Sequence, residues 1–134
     1  MGNFKVKDHY FDKAKKDNYV ARSVYKLEEI DQRFKILRPG MLVVDFGYFP
    51  GSWVQYTSKV IGDEGRVVGI DIQEVNKKLT GIKNVRIYQK DIFDIADLSQ
   101  LDVKDQFDVV LSDMAPSTTG MQSLEQVRSL NLVE

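Results

Sequence analysis

The sequence contains no cysteine and a single histidine, His9. Without cysteine the chain can form neither disulfide bonds nor metal sites built on thiolates, and one histidine alone does not make a metal centre. We expect His9 to lie in a solvated N-terminal segment, and we expect no bound metal. No apolar run approaches the roughly 20 residues of a membrane-spanning helix, and no stretch resembles a signal peptide. These absences predict a cytoplasmic, or at least intracellular, protein with no membrane partner.

The charges are distributed unevenly along a chain whose net charge is only −1. Residues 1–40 hold ten Lys or Arg and six Asp or Glu, a balance of +4, whereas the remaining 94 residues have a balance of −5. A length of 134 residues, with 43% apolar and 29% charged residues, fits one ordinary globular domain. The basic N-terminal part suits a polyanionic partner such as a nucleic acid. A merely solvated lysine-rich terminus explains the charge equally well.

The hydrophobic pattern predicts alternating helices and strands. Residues 1–17 form a polar, basic segment that we expect to be poorly ordered unless it docks, and residues 18–134 form a partial α/β domain. The first helix is expected to begin at Asn18, with Asp17 or Asn18 as its cap, and to carry apolar side chains as far as Leu37. Because helical or loop connections separate the strands, the sheet should be parallel. Further helices are predicted over 52–61 and from Ser123 onward, and strands over 41–44, 66–71, 85–88 and 107–112.

The predicted domain is truncated after the fourth strand and the helix that follows it. No further strand is visible to pair with the apolar fourth strand, and an open strand edge invites pairing with another chain. We therefore expect either a fragment of a longer α/β protein or a chain that covers this edge by self-association.

The run from Asp45 to Trp53 reads Asp-Phe-Gly-Tyr-Phe-Pro-Gly-Ser-Trp and follows a short buried strand. A strand, a glycine turn and a helix start form the ligand-binding unit of many α/β folds. The spacing of Gly47 and Gly51 differs from the Gly-x-Gly-x-x-Gly pattern that admits a pyrophosphate, which disfavours a nicotinamide-dependent oxidoreductase. The acidic residue at the strand end suits a cationic ligand such as S-adenosylmethionine. An ordinary turn is the alternative, and Trp53 either covers the ligand or anchors its helix in the core.

Acidic residues stand at or just after the carboxyl ends of all four predicted strands: Asp45, Asp71, Asp91 and Asp113. Ligands of open α/β sheets bind at that edge. Asp71 is placed to accept both ribose hydroxyls of an adenosine, and Asp91 to receive an adenine amino group. Asp113 is expected to face the glycine loop. Each acid alone is more often a helix cap or a solvated loop residue, and their coincidence at one edge favours a site.

Lys26 is a further candidate, on the first predicted helix and on the same side as Arg22 and Arg33. Arg22 and Lys26 are like charges four residues apart, and such a pair costs a few tenths of a kcal/mol in an isolated helix. The arrangement suits a helix face that meets phosphates, and a solvated basic face is the alternative.

Three stretches resemble the FtsJ/RrmJ-type RNA 2′-O-ribose methyltransferases. Residues 22–30, Arg-Ser-Val-Tyr-Lys-Leu-Glu-Glu-Ile, are similar to the signature helix of that family. Residues 39–53 resemble its first cofactor motif, and residues 112–117, Ser-Asp-Met-Ala-Pro-Ser, its fourth. The resemblance implies a Rossmann-like fold that binds S-adenosylmethionine. It also implies methylation of RNA, with large-subunit ribosomal RNA or a ribosomal subunit as the expected partner.

The resemblance implies roles for single residues as well. In the family a Lys-Asp-Lys-Glu tetrad surrounds the target hydroxyl, and Lys26 matches its first lysine and Asp113 its aspartate. The second lysine is the favoured proton acceptor, while the first lysine and the aspartate orient the groups for in-line transfer of the methyl to a ribose 2′-oxygen. Together with the glycine loop and the strand-end acids, the expected cofactor site comprises Asp45, Gly47, Gly51, Trp53, Asp71, Asp91 and Asp113.

The sequence departs from the family pattern at two places. Tyr48, Phe49 and Ser52 replace small residues that are usual in the loop, so they either narrow the methionine end of the cofactor pocket or pack outward. No lysine follows Asp113, and Glu134 comes too early to match the tetrad's glutamate. We therefore expect an RNA methyltransferase whose 134-residue chain alone is inactive or weakly active. The alternative is a non-catalytic module that binds cofactor or RNA.

Overall fold

The computed structural model of this chain describes residues 2–91, 93 and 106–113. Within them, the helices are α1 (Gly2–Lys16), α2 (Val24–Phe34) and α3 (Ser52–Ile61), with a short 3-10 helix at Lys77–Leu79. The strands are β1 (Leu42–Phe46), β2 (Arg66–Asp71), β3 (Val85–Gln89) and β4 (Val109–Ser112). In this described part of the chain no helix is long and apolar enough to cross a membrane.

The four strands form one parallel sheet in the order β3-β2-β1-β4, which confirms the predicted strands and their parallel pairing. β1 lies between two partners, so that Asp45 is aligned with Gly69 on one side and Leu111 on the other. The apolar run 41–44 predicts too early an end for this strand, because pairing on both sides carries it on to Phe46. Asp45 is therefore the penultimate residue of β1. β4 is an edge strand among the described residues, and self-association through that edge stays a prediction.

The helices α2 and α3 contribute to the core on one face of the sheet. Buried side chains from both helices and from the two central strands pack together there: Leu27, Val43, Val54, Ile61 and Val67. The opposite face is also buried and carries a second cluster: Val44, Phe46, Val68 and Ile70. Burial on both faces explains why β1 and β2 are nearly continuous apolar runs, and it leaves the strand ends as the place where polar side chains collect.

The N-terminal segment is helical, because α1 docks onto α2. Ala14 is 3% exposed, and the Lys13 ammonium lies 4.6 Å from the centre of the Tyr25 ring. At the end of the helix the Tyr19 amide donates to the Ala14 carbonyl at 2.8 Å. These contacts join the last turns of α1 to Tyr25 and to the segment that precedes α2.

The helix α2 begins at Val24, six residues later than the sequence predicts. A side chain of α3 is the reason. Gln55 accepts a hydrogen bond from the Val20 amide at 2.9 Å and donates to the Asn18 carbonyl at 3.2 Å. These two bonds hold residues 18–22 outside the helix, and Asn18 has a φ of +64°.

Both ends of α2 differ from the predicted details. Ser23 occupies the N-cap position, so the prediction of Asp17 or a neighbour as the cap is wrong. Asp17 instead accepts a hydrogen bond from the Tyr25 hydroxyl at 2.6 Å. At the other end, Leu37 lies beyond the helix but remains buried, because its amide donates to the Asp31 carboxylate at 2.9 Å.

The helix α3 has the bounds that the sequence predicts, and Gly62 is its C-cap residue. The Asn84 side chain, at the start of β3, donates to the Ser58 carbonyl at 2.8 Å and to the Gly62 carbonyl at 2.9 Å. These bonds satisfy carbonyl groups that the end of a helix leaves without partners. The predicted helix from Ser123 lies outside the described residues.

Candidate functional site

The loop between β1 and α3 takes its shape from two glycines. Gly47 has a φ of +70°, and its amide donates to the Ile70 carbonyl at 2.7 Å. Gly51 has a φ of +117° and lies against Leu79, whose side chain a Cβ at position 51 would overlap. A residue with a Cβ would be strained at either backbone angle, and at position 51 the Cβ would also leave no room for the close approach to Leu79. The loop therefore has a fixed path at the carboxyl edge of the sheet.

Asp45 is an isolated acid beneath this loop. It is 1% exposed, and among the described residues no donor forms a hydrogen bond with either carboxylate oxygen. Burial raises the pKa of Asp45 well above its ordinary value, and the nearby carboxylates of Asp113 and Asp71 raise it further. A buried charge without a partner is costly, so this group calls for a donor or a cation. The sequence locates Asp45 at the site but does not reveal that its carboxylate lacks a hydrogen-bond donor among the described residues.

The structure brings Lys26 and Asp113 together from positions 87 residues apart in the chain. The Lys26 ammonium donates to the Asp113 carboxylate at 3.1 Å, and the two side chains are 65% and 33% exposed. Exposed ion pairs of this kind contribute at most about 1 kcal/mol to stability. The pair therefore does little for the fold, while it holds a cation on Asp113, which lines the same small cavity as Asp45. Arg33 lies two turns further along α2.

Asp71, the last residue of β2, has a carboxylate that the backbone holds in place. One of its oxygens accepts a hydrogen bond from the Phe49 amide and the other from the Gln73 amide, each at 3.0 Å. This carboxylate lines a cavity of about 450 Å³, which is within the usual range for small-molecule sites. The structure thus fixes the orientation of Asp71 before any ligand binds.

Asp91 lines the same cavity, together with residues that the sequence did not single out for it. Its carboxylate accepts a hydrogen bond from the Phe93 amide at 3.0 Å. Phe93 and Phe49 are 63% and 39% exposed, so both offer aromatic surface to the cavity and the solvent. Lys90 and Gln73 add to the polar part of the lining. The one sequence feature that points to Phe93 is its position two residues after Asp91, an acid predicted to follow a strand end.

A smaller cavity of about 50 Å³ adjoins the first, because Gly47 and Phe49 line both. Asp45, Asp113 and Trp53 line the smaller one. The four strand-end acids are therefore divided into two pairs between neighbouring cavities. In the described part of the chain, no three His, Asp or Glu side chains are grouped so that they could hold a metal ion.

Trp53 anchors α3 and also borders the smaller cavity. It is 7% exposed, belongs to the core, and donates from its indole nitrogen to the Ser23 carbonyl at 2.9 Å. The hydroxyls of Ser52 and Ser23 are 3.0 Å apart. The first turn of α3 is thus bonded to the residue before α2, the helix that carries Lys26. Sequence reasoning missed Ser23, because nothing in a local pattern indicates a partner 29 residues away.

The bulky residues of the loop behave differently from each other. Tyr48 is 3% exposed and packs against Gly69, where a Cβ would lie 2.9 Å from the tyrosine ring. Its hydroxyl accepts a hydrogen bond from the Asn76 amide at 3.3 Å, and burial raises the pKa of Tyr48. Most of Tyr48 therefore occupies the core. Phe49 remains half-exposed and lines both cavities.

Comparison with known proteins gives consistent results. A family model described as "FtsJ-like methyltransferase" matches residues 19–134. The chain is 48% identical to "Ribosomal RNA large subunit methyltransferase E" of Bdellovibrio bacteriovorus, covering 98% of the chain and 67% of the relative. It is 45% identical to the protein of that name from Desulfatibacillum aliphaticivorans, covering 96% of the chain and 61% of the relative. The chain thus spans about two thirds of the length of these relatives.

A solved structure agrees with these sequence relatives. The crystal structure of a candidate ribosomal RNA methyltransferase from Plasmodium falciparum superposes with a TM-score of 0.61 at 26% identity. The match covers 86% of this chain and 66% of the other. With the parallel sheet, it confirms the predicted Rossmann-like methyltransferase fold.

Proposed function

Because the chain belongs to the FtsJ-like methyltransferase family, we propose that it binds S-adenosylmethionine and serves the 2′-O-methylation of a ribose in large-subunit ribosomal RNA. One observation carries the proposal: a buried carboxylate, Asp45, lacks a donor among the described residues and lines a cavity with Asp113, whose carboxylate is paired with Lys26. The site thus offers negative charge for a cationic ligand and a positioned lysine for an incoming hydroxyl. A protein with this substrate would work in the cytoplasm, on the RNA or on a ribosomal subunit.

The residues of the two cavities fit S-adenosylmethionine. Its adenosine part needs a cavity with an acid that accepts ribose hydroxyls, and Asp71 meets that need in the larger one. Its positive charge needs an acid without another partner, which Asp45 provides in the smaller one. When bound, this cofactor supplies a methyl group activated by a sulfonium. The protein then has to exclude water and align the acceptor oxygen.

Lys26 and Asp113 are the residues proposed to align the acceptor. The ammonium of Lys26 has three donors and gives one to Asp113, so it can hold a ribose hydroxyl as well. Asp113 fixes the position of the ammonium and also borders Asp45. Removal of the hydroxyl proton needs a further group, and in the family a second lysine has that role.

The basic surface near α1 supports RNA as the partner. Lys13, Lys15 and Lys16 lie in the last turn of α1, and the Lys15 ammonium is 4.7 Å from the centre of the Phe11 ring. Phe11 is 52% exposed and Tyr10 is 39% exposed. Lysines beside exposed aromatic rings can contact phosphates and bases together.

Neutralising this surface is expected to weaken RNA binding in a salt-dependent way. Replacing Lys13, Lys15 and Lys16 together with alanine removes three phosphate contacts, so the slope of log K against log salt should fall by about 2–3. The measurement is a titration with a large-subunit ribosomal RNA fragment at several salt concentrations. A triple replacement of the exposed Lys77, Lys78 and Lys83 is the control, and equal losses in both variants would contradict the assigned surface.

Replacing Asp71 with alanine is expected to weaken binding of S-adenosylmethionine by roughly 1–3 kcal/mol, because a charged hydrogen-bond partner of the ribose is lost. Calorimetric titration of the cofactor into the chain measures this. Asp63→Ala, at an exposed turn before β2, is the matched control. Unchanged affinity in Asp71→Ala would show that the ribose is placed wrongly. A folded wild-type chain that binds no cofactor at about millimolar concentration would contradict the proposed function itself.

A non-catalytic module that binds cofactor or RNA is the second candidate, because the bulky Phe49 stands in the glycine loop and lines both cavities. A transfer assay with methyl-labelled cofactor and ribosomal RNA, made on the protein as its gene encodes it, separates the two candidates. Methylation of a 2′-oxygen removes the nucleophile of alkaline hydrolysis, so the label would appear in alkali-resistant dinucleotides. Binding of both ligands without transfer would support the module.

A further inference from the structure

The surroundings of Asp45 disfavour the ionised form of its carboxyl group. It lies in β1 between Val44 and Phe46, which are 1% and 4% exposed, and it is itself 1% exposed. In the described part of the chain, neither of its oxygens has a hydrogen-bond donor. An ionised carboxylate in such a place loses its hydration without compensation. The protonated form is therefore the stable one as long as no other charge enters the site.

The charged groups that face Asp45 reinforce this conclusion. Asp71 faces it from the end of β2 and Asp113 from the end of β4, and both are acids. The ammonium of Lys26 on α2 donates to Asp113 and not to Asp45. Asp71 in turn uses both oxygens for the backbone amides of Phe49 and Gln73. No group among these described neighbours neutralises Asp45.

We propose that Asp45 is protonated in the ligand-free protein and releases its proton to solvent when S-adenosylmethionine binds, so that the site selects its ligand by positive charge. This inference rests on the proposed function. A positive charge near the smaller cavity reverses the electrostatic balance around Asp45, and the carboxylate then gains the partner that the described residues do not provide. Asp45 thereby determines specificity for a charged cofactor.

Calorimetric titration in two buffers of different ionisation enthalpy tests this at about pH 5–6.5, where the α-amino group of the cofactor, with an ordinary pKa of about 7.7–8.0, stays protonated. We expect release of up to one proton per bound cofactor, and an affinity that rises up to tenfold per pH unit. Adenosine, which can occupy the larger cavity but carries no cation, is the control ligand and should bind without proton release. Asp45→Asn should bind the cofactor more weakly and independently of pH.

The outcomes separate this inference from the proposed function. Binding of S-adenosylmethionine with no proton release, or an equal release with adenosine, would overturn the role of Asp45 and leave the methyltransferase proposal intact. An unchanged release in Asp45→Asn would assign the proton to another group. Absence of binding in the folded wild-type chain would overturn both. The wild-type comparison of the two ligands remains decisive even if Asp45→Asn does not fold.

The ligand-free protein offers a second readout. The folded-state pKa of Asp45 is raised, so the stability linked to this group is fully present below its unfolded value of about 4 and is lost as pH rises through the folded value. Thermal unfolding should show this fall in the wild type, and Asp45→Asn should flatten it. Parallel pH profiles of the two proteins would contradict the proposal.

Discussion

Replacing Lys26 with alanine is expected to slow methyl transfer to RNA by about 10²–10⁴-fold, the range for loss of a group that handles or orients a transferring proton. Affinity for S-adenosylmethionine should stay the same or rise slightly. The physical reason lies in the pair with Asp113: removing the ammonium leaves that acid without its cation and makes the site more negative for a cationic ligand. The effect thus falls on the reaction and not on cofactor binding.

Single-turnover transfer, measured in the protein as its gene encodes it, checks this expectation. Lys83→Ala removes the same charge from the turn before β3, at the opposite edge of the sheet, and should leave the rate unchanged. A Lys26→Ala variant that loses cofactor affinity would show that this lysine supports the shape of the pocket. A variant that keeps its rate would remove Lys26 from the reaction.

Replacing Gly51 with alanine is expected to lower the free energy of unfolding by roughly 2–5 kcal/mol, from a strained positive φ and from overlap with a packed side chain. The backbone angle of +117° is unfavourable for any residue with a Cβ, and the new methyl group would overlap Leu79 in the core. Because this loop also borders the smaller cavity, the same variant should lose affinity for the cofactor.

Gly40→Ala provides the matched control for this prediction. Gly40 also has a positive φ, of +86°, but no atom lies within 4 Å of the position that a Cβ would take. Denaturant unfolding of the two variants therefore separates backbone strain from overlap. Because Leu79→Ala by itself creates a cavity in the core, a double-mutant cycle is needed, in which Gly51→Ala should cost less in the Leu79→Ala background than in the wild type. Equal losses at the two glycines would show that Leu79 yields without cost.

The sheet and much of the site could be predicted from the sequence, because their causes are local. Strands buried on both faces appear as short apolar runs, and parallel strands bring their carboxyl ends to one edge. Asp71 and Asp113 were placed correctly at that edge for this reason. The helix α3 was predicted with its observed bounds, since a glycine loop precedes it and Gly62 follows it.

The details that could not be predicted depend on side chains distant in sequence. The start of α2 is set by Gln55, more than thirty residues away, which captures backbone groups that would otherwise continue a helix. Among the described residues no donor reaches the Asp45 carboxylate, and this depends on how three strands and a loop pack around it. No local sequence pattern contains that information. The inward packing of Tyr48 depends on the absence of a side chain at Gly69 of the neighbouring strand.

The hydrogen bond between the hydroxyls of Ser23 and Ser52 makes the choice of residue at one position depend on the residue at the other. Ser52 is 2% exposed, and its hydroxyl is paired with that of Ser23; a buried hydroxyl left without a partner costs about 1–3 kcal/mol. A lineage that replaced the small residue usual at position 52 by serine would therefore have gained from a hydroxyl already present at position 23. Reversion at one position alone would then be selected against, so the two residues are expected to change together during evolution.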